Sequence, residues 1–232
     1  MKILINLIVI LLISSTSIGR EVGETEITTE DGIEVFQNEK YYLLKKNVNI
    51  DSDNFNLNAD DVKIIFNKNL YDITELNAKG NVIFKSPIFK INGNGETLKF
   101  EILNEKLKVA GLDSELIMEE VQMFSDGYIE VNNISGEFSL KGLNSKLIND
   151  NVIIEADSID GVFANSNGNK DIISLNVIDN EISYIKNNDT EMYAKKINYN
   201  NKTSIIELIE NVTIIRNEEK ITGDYGTLDT KN

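Results

Sequence analysis

The amino-acid sequence predicts an all-β protein of about 14–18 antiparallel strands, and three observations carry that prediction. Apolar and polar residues alternate with a period of two along nearly the whole chain, as in Val62-Lys63-Ile64, Leu98-Lys99-Phe100-Glu101-Ile102, Phe138-Ser139-Leu140 and Ile182-Ser183-Tyr184. That period belongs to strands, and no helical stripe competes with it. Turn signals punctuate the runs at Asp31-Gly32, Asn92-Gly93-Asn94-Gly95, Asp126-Gly127, Asp160-Gly161 and Asn165-Ser166-Asn167-Gly168-Asn169, residue types that accept positive φ and close hairpins with little strain. The third observation is a recurring cassette, Asn-Val opening one alternating run and a small residue twelve positions later inside the next. It occurs from Asn47 to Ala59, from Asn81 to Gly93 and from Asn211 to Gly223, with a compressed fourth copy at Asn151-Val152-Ile153-Ile154-Glu155-Ala156. Spaced self-similarity of this kind marks stacked hairpins that share one interior.

Taken in order, the chain opens with Lys2 and an apolar run from Ile3 to Ile13, followed by Ser14-Ser15-Thr16-Ser17-Ile18-Gly19. The run is far shorter than the roughly 20 residues a spanning helix needs, and it reads as a signal peptide over residues 1–19 with Ser17-Ile18-Gly19 as the cleavage site. An uncleaved anchor is the alternative. Residues 20–232 then read as one continuous domain, with no composition shift to divide it. The one proline, Pro87, stands where a turn precedes a strand.

Composition excludes much chemistry. The chain has no His and no Cys, so it has no Ser-His-Asp or Cys-His nucleophile, no zinc site of the usual ligands and no disulfide. No cofactor or metal motif stands out: Asp51-Ser52-Asp53 starts like a calcium loop, but Phe55 takes the next ligand position. The charge is −15, from 23 basic and 38 acidic residues, which opposes nucleic acid and anionic membrane surfaces as broad-face partners. Loss of the leader would remove Lys2 alone among the charged groups.

The alternation places Val48, Ile50, Phe55, Leu57, Val82, Phe84, Phe89, Ile91, Leu98, Phe100, Val109, Val212, Ile214 and Ile221 on one face. Asn49, Asn58, Lys85, Lys99, Lys108, Thr213 and Thr222 lie on the other, so each strand has one dry and one wet side. A soluble sandwich or jelly roll and an outer-membrane barrel share that pattern. The barrel expects aromatic belts, whereas Trp is absent and the Tyr and Phe residues are scattered. The soluble architecture is preferred.

Several segments resemble the OstA-like, or LptA, family of periplasmic lipopolysaccharide-transport proteins. The opening Glu26-Ile27-Thr28-Thr29-Glu30-Asp31-Gly32 looks like that family's first strand. Tyr41 to Val48 and Leu57-Asn58-Ala59-Asp60 are similar to its next elements, and Ile73-Thr74-Glu75-Leu76-Asn77-Ala78-Lys79-Gly80-Asn81-Val82 matches its signature best. Ile221-Thr222-Gly223-Asp224-Tyr225-Gly226-Thr227-Leu228-Asp229 resembles the closing repeat. Departures are Lys46-Asn47 in place of Gly-Asn, and a loosely patterned stretch from Glu115 to Phe163.

The resemblance implies a single twisted, partly open β jelly roll whose apolar furrow, lined by the fourteen residues of the dry face, shields lipid A acyl chains in the periplasm. It also implies a non-enzymatic role with LptC-like and LptD-like jelly-roll partners and head-to-tail self-association. The docking edges would be Glu26, Ile27 and Thr28 at one end and Ile221, Thr222, Gly223 and Tyr225 at the other, since unpaired edge strands template pairing. Alternatives are an inner-membrane-anchored component of the sister LptC family, a carboxylate-based glycoside hydrolase on a stacked β scaffold, and a β-repeat structural protein or adhesin that binds no lipid. The hydrolase would need acids in a cleft, and the dry face carries almost none.

Overall fold

The computed structural model describes residues 24–69, 72–166 and 169–230; the leader expected over residues 1–19 lies outside them. Sixteen strands follow one another: β1 Glu26–Thr28, β2 Ile33–Phe36, β3 Tyr41–Asp51, β4 Asn56–Phe66, β5 Ile73–Ser86, β6 Ile91–Glu101, β7 Lys106–Ala110 and β8 Ser114–Met118, then β9 Val121–Ser125, β10 Tyr128–Asn132, β11 Glu137–Asn149, β12 Val152–Ser166, β13 Asn169–Asn187, β14 Thr190–Asn200, β15 Ile205–Arg216 and β16 Glu219–Asp229. All belong to one sheet, and every pairing is antiparallel.

Long strands bend midway. Register slips between Lys45 and Val48, Lys79 and Val82, Lys141 and Ser145, Ile178 and Ser183, and Ile209 and Val212. These bulges kink each strand at the same level, so the sheet folds along a row of corners into two limbs that face each other. Phe84 on one limb packs against Phe100 on the other, with ring centroids 5.5 Å apart. This is the jelly-roll-like architecture that the family resemblance implied.

Three of the cassette asparagines explain the corners. Asn47, Asn81 and Asn211 sit at bends with φ of 51°, 48° and 57°, the left-handed region that Asn tolerates better than most residues. Asn151 differs: it lies in the tight turn between β11 and β12, so the fourth copy is a hairpin rather than a corner.

Two of the expected turns are strand instead. Asn92 to Gly95 lies within β6, and Asp160-Gly161 within β12. The glycines there face inward: a methyl group on Gly95 would fall 2.6 Å from Val109 Cγ1, and one on Gly161 2.4 Å from Phe138 Cζ. They make room for neighbouring side chains rather than for a reversal of the chain.

The loosely patterned stretch has its own cause. Between β6 and β11 the sheet splits: β7 and β10 fill one limb, and β8 and β9 fill the other. Four strands of five residues there replace two long ones, so the spacing of the cassette is lost.

Candidate functional site

The space between the limbs is the candidate site. Alternation sends Leu44, Val48, Ile50, Leu57, Val62, Ile64, Leu76, Val82, Phe84 and their counterparts from every later long strand inward, into one buried cluster. Its buried polar groups, among the described residues, are six serines. They donate to backbone carbonyls, Ser86 Oγ to that of Asn54 at 2.7 Å and Ser145 Oγ to that of Gly142 at 3.0 Å. Burial pushes the Tyr42 phenol above its ordinary pKa, which keeps it neutral. No buried side chain among the described residues carries a charge.

Of the fourteen dry-face residues, Val48, Ile50, Phe55, Leu57, Val82, Phe84, Ile91, Leu98, Phe100, Val109 and Val212 are buried, and Phe89 and Ile214 are half-buried against them. Ile221 stands apart at 65 % exposed. The N-terminal part of the interior is closely packed: Phe55, Phe84, Phe89 and Phe100 interlock at centroid distances of 5.5 to 6.4 Å. Rings at these separations fill the space between the limbs.

The C-terminal part is open at its mouth. A cavity of about 390 Å³ lies between β11 to β13 on one limb and β13 to β15 on the other, within the roughly 300–1,000 Å³ typical of ligand pockets. Val152, Ile172, Leu175, Ile185, Tyr199 and Ile206 form its apolar wall, while Asn149, Asp150, Asn151, Asp171, Asn187, Asn188, Asn201 and Thr230 form its rim. Sequence reading missed these wall residues. The bulge that pairs Phe163 with Ile172 but Val162 with Ser174 breaks the alternation at Ile172-Ile173, and that doubled isoleucine is the signal that could have found Ile172.

Among the described residues, nothing caps either end of the interior. On β2, Ile33 pairs with buried Leu44 and Val35 with buried Tyr42, so both face inward; yet they are 51 % and 52 % exposed. On β16, Ile221 pairs with Ile214 and Leu228 with Ile206, and this strand also faces inward without cover. Glu26 and Thr28 are exposed and Ile27 is half-buried on β1, while Thr222, Gly223 and Tyr225 are exposed on β16. The two sets of candidate edge residues therefore occupy opposite ends of the strand order. Among the described residues no cluster of carboxylates has metal-holding geometry.

The described residues thus form an all-β sheet folded over a dry interior, with exposed inward-facing residues at both ends of the strand order and a side mouth. Residues 125–232, the part of the chain that contains the mouth, match the family described as LptA/(LptD N-terminal domain) LPS transport protein. Among solved structures, the chain is similar to LptH of Pseudomonas aeruginosa, described as the LptA homologous periplasmic component of the lipopolysaccharide transport device. Identity is 11%, with 47% of this chain and 76% of that chain covered and a TM-score of 0.41. No curated protein matches the chain.

Proposed function

We propose that this chain is a periplasmic lipopolysaccharide carrier that shields acyl chains between its two limbs and joins others of its kind end to end into a bridge between the inner and outer membranes. The observation that carries the reading is the uncapped, uncharged interior, in which inward-facing Ile33, Val35 and Ile221 meet solvent. Leaving apolar groups bare costs stability, and exposed apolar surface of this kind marks a binding site. The cargo has the matching need. At about 0.8 kcal/mol per methylene, an acyl chain of roughly a dozen carbons costs on the order of 10 kcal/mol to expose to water. Carriage of this kind needs no catalytic group, and the chain has neither His nor Cys.

The test is binding of lipopolysaccharide beside its deacylated saccharide. Acyl shielding requires the intact lipid to bind and the saccharide to bind far more weakly; equal affinity for both would point to a carbohydrate binder. Sequencing the mature N-terminus separates a free carrier, which starts at Arg20, from an anchored component of the LptC type.

A further inference from the structure

We infer that the mouth turns away phosphate and takes an alkyl chain joined to an uncharged, hydroxyl-bearing head, with Asp150 and Asp171 as the residues that set this choice; this rests on the lipid-carrying reading above. The rim combines two kinds of group. Asn149, Asn151, Asn187, Asn188 and Asn201 supply amides, while Asp150 and Asp171 supply carboxylates. Among the described residues that line the cavity there is no Lys or Arg.

Amides suit hydroxyls, because each offers two N–H donors and an oxygen with two lone pairs. Bonds within the rim use only part of that capacity: Asn149 Nδ2 donates to the Lys170 carbonyl at 3.1 Å, and Asn188 Nδ2 to Asn187 Oδ1 at 3.1 Å. Neutral donors and acceptors above an apolar wall match a molecule that is greasy at one end and hydroxylated at the other. Phosphate recognition takes different equipment, guanidinium or ammonium groups aimed at the oxygens.

The cations close to the rim in sequence are directed elsewhere. Lys170 Nζ donates to Asn133 Oδ1 at 3.2 Å, and Lys186 Nζ lies 3.6 Å from Glu191 Oε1. Lys202 lines a separate depression with Ser174 and Asn200; these two pair one step out of phase with Leu175 and Tyr199 of the cavity wall, and so belong to the outer face. Arg216 shares the inward parity of Ile214, but it pairs with Thr190, which in turn pairs with Asn187. Two strand spacings put it roughly 10 Å from the rim, about one Debye length, and Glu219 stands opposite it on β16. Negative charge thus prevails at the rim of a chain whose net charge is −15, and a cleft lined by one sign of charge concentrates that field. A lipopolysaccharide held here keeps its phosphates in bulk water beyond the rim.

The experiment is displacement of a neutral alkyl fluorophore from the wild-type chain by dodecyl maltoside and by dodecyl phosphate, each below its micelle concentration, at low and at high salt. Dodecyl maltoside is expected to bind more tightly at low salt, and the gap to narrow as salt screens the rim. The double variant Asp150→Asn with Asp171→Asn keeps side-chain shape, and Asn tolerates the φ of 50° at position 150. In it dodecyl phosphate should gain about fivefold in affinity, the scale of one or two exposed charge pairs, with dodecyl maltoside unchanged. Asp31→Asn with Glu39→Gln, exposed at the far end of the strand order, removes as much charge away from the mouth and should alter neither affinity. Thermal unfolding reports whether each variant is folded; if the double variant is not, the wild-type preference and its salt dependence decide. A wild type that binds neither detergent overturns the carrier reading itself. Equal binding of the two detergents at low salt, or a folded double variant with unchanged affinity for dodecyl phosphate, overturns the charge selection alone. An equal gain in the remote variant does the same, because it assigns the effect to net charge.

Discussion

Asn81 donates two hydrogen bonds from its side-chain amide to the Asp60 carboxylate, at 3.0 and 3.2 Å, across the corner where β4 and β5 bend together. The same clasp recurs at other corners: Asn144 donates to Asp126 at 3.0 Å, and Asn180 donates to Asp157. At the first corner, where no earlier strand supplies an Asp, Glu30 takes the role and accepts from Asn47 while pairing with Lys46 at 2.8 Å. Replacing Asn81 by Ala removes a charge-assisted bond and a residue suited to left-handed φ. We expect Asn81→Ala to lose roughly 1–2 kcal/mol, the scale of one such bond at an exposed site, read as a lower urea midpoint. Wild-type stability in that variant would show that the clasp holds nothing.

Gly80 lies beneath that clasp. Its φ is +77°, and a methyl there would fall 2.2 Å from Asp60 Oδ2; Gly32 has a similar φ of +83° but open space around it. The left-handed conformation alone costs a side-chain-bearing residue about 1–2 kcal/mol. Gly32→Ala should lose about that much, and Gly80→Ala clearly more, because the carboxylate must move and break its bonds. Equal losses in the two unfolding curves would remove the steric part of the account.

Phe84 tests whether the aromatic cluster is packing or cargo space. It is 1 % exposed and contacts the rings of both Phe55 and Phe100. Truncation to Ala should cost about 3–5 kcal/mol, as for large aromatic cavities, with lipid affinity changed little in the fraction that stays folded. A stable Phe84→Ala chain with weakened lipid binding would reverse the assignment.

Acid sensitivity follows from Glu101. Its carboxylate accepts from Lys99 Nζ at 2.8 Å and from Asn104 Nδ2 at 3.1 Å, and the Lys99 bond in particular holds its pKa below the ordinary 4.5. A carboxyl depressed in the folded state binds fewer protons there than in the unfolded chain, so stability rises with pH across that window. The contribution is complete above the ordinary carboxyl value and fades as pH falls through the depressed one. Glu30, also held low by Lys46 and then Asn47, acts in the same sense from an exposed position. Urea midpoints should therefore fall from pH 6 to pH 3, and the fall should be smaller in Glu101→Gln; an identical pH dependence in the two proteins would contradict this.

The strand count and the wet and dry faces were legible because a period of two survives wherever strands pair on both sides. Tyr41 to Asp51 and Ile73 to Ser86 show it plainly. What escaped was set by contacts distant in sequence. Gly93, Gly95 and Gly161 look like turn residues until Leu116, Val109 and Phe138 arrive from other strands to fill the space a side chain would need. The split of the sheet around β7 to β10 likewise follows from four short strands sharing two neighbours, which no local pattern announces. Within the mouth, Ile172 escaped because a bulge at Ile173 shifts its parity.

End-to-end joining makes a prediction that needs both ends. Ile33 and Ile221 face the interior from opposite terminal strands, so a bridge would match the first edge of one copy with the last edge of the next. Such a contact is heterologous, so it generates filaments or rings rather than two-fold dimers. A lysine at either position puts a charge on the dry face, where burial without a partner is costly. Ile33→Lys and Ile221→Lys, each alone, should abolish concentration-dependent growth in light scattering. Mixed together, they retain one intact edge of each kind, and the mixture should stop at the size of two chains. Growth of either single variant, or a mixture that stays monomeric while the wild type assembles, would rule out this pairing of ends.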